Sequence, residues 1–137
     1  MTQTRVVLVT GGMGGLGETI STKMVDAGYK VAVTYSPGNK THGEWVSQMK
    51  AKGYDILAVP CDVADFDSCG KAVAEVQSKL GSVDVLVNNA GITRDMTFKK
   101  MDKVNWDAVL RTNLDSLFNM TKPVSYTHLT LPTNSRV

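Results

Sequence analysis

The chain has 137 residues, of which 42% are hydrophobic, enough for one compact core of ordinary domain size. Its 15 basic and 13 acidic residues leave a formal charge of +2, and no run of lysine or arginine concentrates that excess, which argues against a nucleic-acid partner or an anionic-membrane surface. No apolar stretch approaches the roughly 18–20 residues of a membrane-spanning helix, and the first apolar run is too short for a signal peptide, so we expect a cytoplasmic protein.

Four short apolar runs rich in β-branched residues predict strands that are buried on both faces. They span Val6–Val9, Val31–Val33, Ile56–Val59 and Val83–Val87. Their starts follow one another at intervals of 25 to 27 residues, which leaves room for a crossover helix and two loops each time. This spacing predicts an α/β fold, a Rossmann-like doubly wound parallel sheet that binds ligands at the carboxyl ends of its strands.

Apolar residues at helical spacing predict four helices after these strands. The predicted apolar faces are Leu16, Ile20, Met24 and Val25 in the first helix, Trp45 and Met49 in the second, Cys69, Val73, Val76 and Leu80 in the third, and Trp106, Leu110, Leu114, Leu117 and Phe118 in the fourth. Asp65 is the predicted N-cap of the third helix, and the fourth begins near Asp102. Residues 123–137 contain two prolines and no helical stripe, so we expect an irregular tail after a domain of residues 1–122.

A glycine-rich turn follows the first strand and leads straight into the first helix. It runs Thr10-Gly11-Gly12-Met13-Gly14-Gly15-Leu16-Gly17. A dinucleotide pyrophosphate needs backbone N–H groups that no Cβ obstructs and the partial positive charge of a helix N-terminus. The position of the turn between strand and helix therefore predicts phosphate binding by residues 11–17 rather than a simple tight turn.

The loop after the second strand indicates which dinucleotide is bound. An NAD site normally offers an acidic residue to the ribose 2′-OH at this point, but no Asp or Glu occurs from Ala27 through Gly43. Ser36 and Lys40 lie instead in a neutral-to-basic loop that could host a 2′-phosphate. The sequence therefore favours NADPH over NADH, although Lys40 could also be a solvated loop lysine.

Polar and small residues follow the third and fourth strands. Asp62 could accept a hydrogen bond from the adenine amino group while Val63 packs on the ring, or Asp62 could serve only as a turn residue. The segment Asn88-Asn89-Ala90-Gly91 is expected to border the nicotinamide end of the same crevice.

The two cysteines, Cys61 and Cys69, have no further cysteine and no histidine in metal-ligand spacing. The sequence therefore predicts neither a disulfide framework nor a metal site, and we expect both residues to be core thiols.

Four motifs together resemble the short-chain dehydrogenase/reductase family over about residues 4–122. They are Thr10-Gly11-x-x-x-Gly15-x-Gly17, Asp62-Val63, Asn88-Asn89-Ala90-Gly91, and Asn113 within Thr-Asn-Leu. Within this family, Gly11-Gly12-Met13-Gly14-Gly15, Gly91-Ile-Thr-Arg-Asp95, Lys100-Met101 and Asn105-Trp106-Asp107 are similar to the NADPH-dependent acetoacetyl-CoA reductases of polyhydroxyalkanoate synthesis. The 3-oxoacyl-carrier-protein reductases share the stretch Ile92-Thr93-Arg94-Asp95.

The resemblance implies an enzyme that in its complete form reduces acetoacetyl-CoA to 3-hydroxybutyryl-CoA with NADPH and is a homo-oligomer. It implies that Asn113 helps to hold a water of the proton relay through its side chain and backbone. It also places Asp95 and Lys100 near the acyl-CoA entrance, where Lys100 either meets a CoA phosphate or stays solvated. A 3-oxoacyl-carrier-protein reductase and a non-catalytic dinucleotide-binding module remain alternatives.

The catalytic centre of that family is absent from these 137 residues. It needs a tyrosine that protonates the developing alkoxide and a lysine four residues later that lowers the pKa of the tyrosine. The four tyrosines are followed at that spacing by Val33, Asn39, Ala58 and Thr130. We therefore expect a sheet truncated after the fourth strand and its helix, no activity of this chain by itself, and a tail that is foreign to the fold.

Overall fold

Strands and helices alternate along the chain as the apolar pattern predicts. The computed structural model describes residues 4–129, with side chains described as far as Ser125. The elements are β1 Val6–Val9, α1 Gly15–Asp26, β2 Lys30–Tyr35, α2 His42–Ala51, β3 Ile56–Pro60, α3 Phe66–Leu80, β4 Val83–Val87, α4 Lys103–Leu110 and α5 Ser116–Leu129. A 3₁₀ turn, Phe98–Lys100, precedes α4, and a π-helical turn, Arg111–Asp115, joins α4 to α5.

The four strands form one parallel sheet in the order β3-β2-β1-β4. Val7 and Val9 of β1 lie opposite Val31 and Val33 of β2 in its register. The predicted Rossmann-like parallel sheet is therefore confirmed, and all four strands end at the same edge. Among the described residues β4 pairs with β1 alone, so its outer edge has no strand beside it.

Alternate residues of β1 serve two cores, one on each face of the sheet. Leu8 packs in a cluster with Val73 of α3 and Met120 of α5. Val7 and Val9 pack on the opposite face against α1 and α2. Each buried valine or leucine side chain contributes about 1.5–3 kcal/mol, so burial on both faces fixes the sheet on which the loops stand.

The N-cap of α3 and the start of α4 agree with the sequence prediction, whereas one residue of α1 does not. Asp65 accepts a hydrogen bond from the amide of Asp67 (3.2 Å), and Asp102 accepts one from the amide of Asn105 (2.9 Å). The prediction that Leu16 belongs to the buried face of α1 is wrong, since Leu16 is 69% exposed. It lies in the first turn of α1, where Gly17 is the buried residue instead.

The predicted apolar stripe of the fourth helix faces outward. Leu114 and Phe118, for example, are 58% and 62% exposed. The core instead receives Met120 and Val124 from α5, which pack against α3. The π-helical turn separates α4 from α5, so one uniform helical period does not describe the whole segment.

The helix also continues further than the sequence predicts. α5 extends to Leu129, so the prediction of irregular structure from residue 123 is wrong over residues 123–129. Proline removes one backbone donor and crowds the carbonyl of residue 119, but burial of Met120 and Val124 on either side of Pro123 stabilises the helix. Residues 130–137 of the predicted tail lie outside the described residues. No helix in the described part of the chain is long and apolar enough to cross a bilayer.

Candidate functional site

The glycine-rich turn opens the N-terminus of α1 toward the carboxyl edge of the sheet. Gly11 has a φ of +61°, and the amide of Gly14 donates to its carbonyl oxygen (3.3 Å), which closes the turn. Gly14 is the N-cap of α1 and offers no side-chain acceptor. The amides of the first turn of α1 are therefore available to an anion, which the helix N-terminus also favours.

The glycines of this turn serve two different purposes. A Cβ on Gly12 would lie 2.2 Å from Cγ1 of Val33, and one on Gly17 would lie 2.2 Å from the carbonyl oxygen of Gly11. The fold therefore requires glycine at both positions. A Cβ on Gly15 would meet no described atom within 4 Å, so the space in front of Gly15 is open to a ligand. This arrangement fits a dinucleotide pyrophosphate.

Two threonines tie the ends of three strands together. The Thr10 hydroxyl oxygen accepts hydrogen bonds from the amides of Asn89 and Ala90, both at 3.0 Å. The Asn89 side-chain amide donates to the carbonyls of Thr10 and Gly11, both at 3.2 Å. The Gly11 amide donates to the hydroxyl of Thr34 on β2 (3.1 Å). Thr34 was not predicted as a site residue, and only its place at the end of a strand beside the glycine turn could have indicated it.

Residues from the ends of all four strands line one cavity of about 160 Å³. Six of them are predicted cofactor-binding residues: Gly11, Ser36, Asp62, Val63, Ala90 and Gly91. The others are Thr34, Tyr35, Cys61, Ile92 and Thr112. A larger cavity of about 680 Å³ lies beside α2 and β3, and its lining includes none of the predicted site residues. We take the smaller cavity as the candidate site, because Gly11 of the glycine turn and residues from the ends of the other three strands line it together.

Asp62 and Val63 are held by the local structure as well as lining this cavity. One carboxylate oxygen of Asp62 accepts a hydrogen bond from the amide of Ala64 (3.0 Å), so the turn role that the sequence left open is present. Val63 is buried, and its carbonyl accepts a hydrogen bond from the side-chain amide of Asn119 (3.0 Å). These contacts fix the two residues at the edge of the cavity.

The loop after β2 carries Lys40, and His42 follows it at the start of α2. Asn39 organises it by accepting hydrogen bonds from the amide (2.7 Å) and hydroxyl (3.0 Å) of Thr41. The His42 ring stacks on Tyr35 with centroids 4.1 Å apart and planes 6° from parallel. Lys40 is exposed and does not line the 160 Å³ cavity. The sequence reasoning missed His42, which stands at the first position of α2 directly after the acid-free loop.

Asn113 lies in the π-helical turn and holds the loop after β4. Its side-chain oxygen accepts a hydrogen bond from the amide of Ile92, and its side-chain nitrogen donates to the Ile92 carbonyl, both at 2.8 Å. A Cβ on Gly91 would lie 3.1 Å from this side-chain oxygen. The side chain of Asn113 is thus engaged by the protein backbone, and glycine at position 91 lets the two segments approach.

Asp95 and Lys100 lie apart from the candidate cavity, in the segment between β4 and α4. Both side chains are exposed, and Lys100 ends the 3₁₀ turn. A further cavity of about 280 Å³ lies close by in the chain, lined by Phe98, Met101, Asp102, Lys103 and Trp106. The structure therefore does not bring these two predicted substrate residues together with the cofactor residues.

Comparison with known proteins gives consistent matches over most of the chain. The family model described as short chain dehydrogenase matches residues 5–130. The acetoacetyl-CoA reductase of Cupriavidus necator is 49% identical over 124 residues, which cover 90% of this chain and 50% of that protein. The 3-oxoacyl-[acyl-carrier-protein] reductase FabG of Staphylococcus aureus is 44% identical over 119 residues, which cover 87% of this chain and 48% of that protein.

A solved structure agrees with these sequence matches. The blue fluorescent protein from a metagenomic library, in complex with NADPH, superimposes with a TM-score of 0.80 at 29% identity. The superposition covers 90% of this chain and 51% of that one. The chain therefore spans about half the length of the relatives and of the solved structure that it matches.

Proposed function

Because this chain belongs to the short-chain dehydrogenase family, we propose that it forms the dinucleotide-binding half of a ketoreductase that prefers NADPH. The observation that supports this most is the cavity in which residues from all four strand ends meet beside the open N-terminus of α1. Six cofactor residues chosen from sequence motifs far apart in the chain line that one cavity.

We assign each segment in or beside the cavity to one part of the dinucleotide. The glycine turn holds the pyrophosphate through its backbone amides. Its residues are Gly11, Gly12, Met13, Gly14, Gly15, Leu16 and Gly17. Asp62 and Val63 receive the adenine ring. The segment Asn89-Ala90-Gly91 runs beside the nicotinamide end. When bound, the reduced nicotinamide supplies a hydride to a keto carbon, and the chain's own residues position it.

The preference for the 2′-phosphate rests on the loop after β2. Ser36, Lys40 and His42 stand in a stretch without acidic residues, and the stack of His42 on Tyr35 holds one imidazole at the start of α2. Basic and hydroxyl groups favour a phosphate over a free ribose hydroxyl. The similar solved structure with bound NADPH is consistent with this assignment.

The proposed substrate of the complete reductase is acetoacetyl-CoA, which is reduced to 3-hydroxybutyryl-CoA. The name of the Cupriavidus necator relative supports this. Asp95 and Lys100 would meet the acyl-CoA at its entrance. Asn113 would contribute to the proton relay through its backbone carbonyl, since its side chain holds Ile92. The tyrosine and lysine of the family's catalytic centre are not in this sequence.

Two other functions have an observation in their favour. The Staphylococcus aureus relative is named as a reductase of acyl-carrier-protein thioesters, which supports that substrate class. A non-catalytic dinucleotide-binding module would explain why no tyrosine has a lysine four residues later. An in-frame serine and Tyr-x-x-x-Lys in the coding DNA downstream would support the reductase and contradict the module.

The direct test is titration of the chain, carried on a solubility partner, with NADPH and with NADH, followed by the change in nicotinamide fluorescence on binding. We expect NADPH to bind at least about tenfold more tightly, a difference of about 1.4 kcal/mol. Equal affinity for both would contradict the cofactor preference. Failure to bind either dinucleotide would contradict the proposed function itself.

A further inference from the structure

An apolar cavity lies where the 3₁₀ turn meets α4, and it shares no residue with the candidate cofactor cavity. It measures about 280 Å³ and is lined by Phe98, Met101, Asp102, Lys103 and Trp106. Phe98 is 82% exposed and Trp106 is 46% exposed. Two aromatic side chains that open to solvent around a concave apolar surface are typical of a ligand site rather than of a core.

Local hydrogen bonds fix the backbone on both sides of this cavity. In the turn, the amide of Met101 donates to the carbonyl oxygens of Thr97 and Phe98, both at 3.1 Å. In α4, the amide of Trp106 donates to the carbonyl oxygen of the N-cap residue Asp102 (3.1 Å). Both aromatic residues therefore stand on regular elements. The cavity is formed before a ligand enters it, which keeps the ordering cost of binding low.

Two lysines beside the cavity have no carboxylate partner. Lys99 and Lys100 belong to the 3₁₀ turn, both are exposed, and neither forms an ion pair within the described residues. The carboxylate of Asp102, which lines the cavity, is already engaged. It accepts hydrogen bonds from the backbone amide (2.9 Å) and the side-chain amide (2.7 Å) of Asn105. The surroundings therefore favour a ligand that combines a flat ring with negative charge.

We propose that this cavity binds the adenine ring of coenzyme A, with Lys99 and Lys100 beside its phosphates. The inference rests on the proposed reductase function and extends it, because it gives the nucleotide end of the acyl-CoA substrate a site on Phe98, Met101 and Trp106. Adenine presents a π-face to aromatic side chains, and lysine binds phosphate as a point charge. An acyl-carrier protein presents phosphopantetheine without adenine, so an adenine site favours coenzyme A as the thioester carrier.

The position of the cavity along the chain suits a substrate of this length. Gly91 lines the candidate cofactor cavity, and Phe98 lines the 280 Å³ cavity seven residues later. Seven residues span at most about 25 Å, a distance that the diphosphate and pantetheine arm of coenzyme A can bridge. Hydrogen bonds between Asn113 and Ile92 hold the start of this segment. One coenzyme A molecule can therefore reach from this cavity toward the nicotinamide end of the cofactor site.

The test uses tryptophan fluorescence, because Trp106 lies in the proposed site. The chain has two tryptophans, so Trp45→Phe leaves Trp106 as the only reporter. The full 137-residue Trp45→Phe chain, carried on a tryptophan-free solubility partner, is titrated with coenzyme A under reducing conditions. We expect saturable quenching by coenzyme A, because adenine stacks in the cavity. We expect none by 4′-phosphopantetheine, which lacks adenine.

Variants made in the Trp45→Phe chain test the individual side chains. Phe98→Ala should weaken coenzyme A binding by about tenfold, the effect of losing one aromatic ring from a stacked base. The double variant Lys99→Ala, Lys100→Ala should weaken it by about fivefold, the effect of losing exposed charge pairs. Val104→Ala, at an exposed residue of α4 outside the cavity lining, is the matched control and should bind as the parent does. Far-ultraviolet circular dichroism checks the fold of each variant.

Titration of the same preparations with NADPH, followed by nicotinamide fluorescence, separates this inference from the proposed function. NADPH binding without quenching by coenzyme A would overturn the adenine site and leave the proposed function in place. Absence of NADPH binding would contradict the proposed function, whatever coenzyme A does. Parental affinity in Phe98→Ala or in the double lysine variant would overturn the adenine site. Quenching by 4′-phosphopantetheine as strong as that by coenzyme A, or by an acyl-carrier protein alone, would overturn it as well.

Discussion

Two substitutions in the glycine turn should separate folding from cofactor binding. In Gly17→Ala, the new Cβ would lie 2.2 Å from the carbonyl oxygen of Gly11 and 2.8 Å from Cα of Gly12. Both neighbours are backbone atoms, so the strain is not relieved by a rotamer change. Overpacking of this kind costs about 1–3 kcal/mol, and the higher helix propensity of alanine offsets about 1 kcal/mol of that cost. An approach of 2.2 Å to a backbone atom belongs at the upper end of that cost, so we expect the free energy of unfolding to fall by about 2 kcal/mol.

Gly15→Val should have the opposite profile. Its Cβ meets no described atom within 4 Å, so the free energy of unfolding should change by no more than about 0.5 kcal/mol. The side chain would instead occupy the approach to the amides of the first turn of α1. Loss of two hydrogen bonds to a charged group, at about 1.5–3 kcal/mol each, would weaken NADPH binding by more than about 100-fold.

Urea unfolding, followed by tryptophan fluorescence, and NADPH titration measure the two effects on the same preparations, with the chain carried on a tryptophan-free solubility partner. Gly70→Val in α3 is the matched control, since a Cβ there also meets no described atom within 4 Å, and it should change neither quantity appreciably. If Gly15→Val binds NADPH as the parent does, the pyrophosphate assignment is wrong. If Gly17→Ala is as stable as Gly15→Val, the inferred clash between a Cβ at position 17 and the backbone of Gly11 and Gly12 is wrong.

The remaining predictions concern the 2′-phosphate loop, the loop after β4 and the chain as a whole. Ser36→Asp should shift selectivity toward NADH by about tenfold or more, because a carboxylate repels the 2′-phosphate. Titrations with both dinucleotides test this, with Ser82→Asp at the other end of the sheet as the control, and unchanged selectivity in Ser36→Asp would refute it. Asn113→Ala should speed amide hydrogen exchange at Ile92 about fivefold, since one lost hydrogen bond is worth about 0.5–1.5 kcal/mol. An unchanged rate would contradict the hydrogen bond from the Ile92 amide to the Asn113 side chain. The 137-residue chain should not oxidise NADPH with acetoacetyl-CoA, because no tyrosine has a lysine four residues later. It should elute as aggregates from a sizing column, because the β4 edge and apolar residues of α4 and α5 are exposed. A monomer with ordinary turnover would contradict both expectations.

The sequence predicts those features whose cause is local. They are the strands from apolar runs rich in β-branched residues, the glycine turn before α1, the N-cap Asp65 and the start of α4 near Asp102, and each depends on a few neighbouring residues. The parallel order of the strands then follows from the crossover spacing. Because parallel strands end at one edge, this also suffices to bring Asp62, Ala90 and Gly91 to the same cavity.

Features that depend on contacts between distant segments could not be read from the sequence. Nothing near Thr10 in the chain indicates that its hydroxyl oxygen accepts hydrogen bonds from two backbone amides just after β4. The packing of Met120 beside Cys61 requires the path of α5 across the sheet. The same tertiary packing carries the helix through Pro123, where the local propensity of proline predicts a break.

The π-helical turn between α4 and α5 makes the length of this segment as important as its composition. Each residue of an α-helix advances the helix by about 100°. Deleting one residue within Arg111–Asp115 would therefore leave a helix but rotate everything after it by about 100° relative to α4. Asn119 and Met120 would leave the core, and an insertion would rotate them the other way. Substitutions in this turn should be tolerated more readily than any change in the number of its residues.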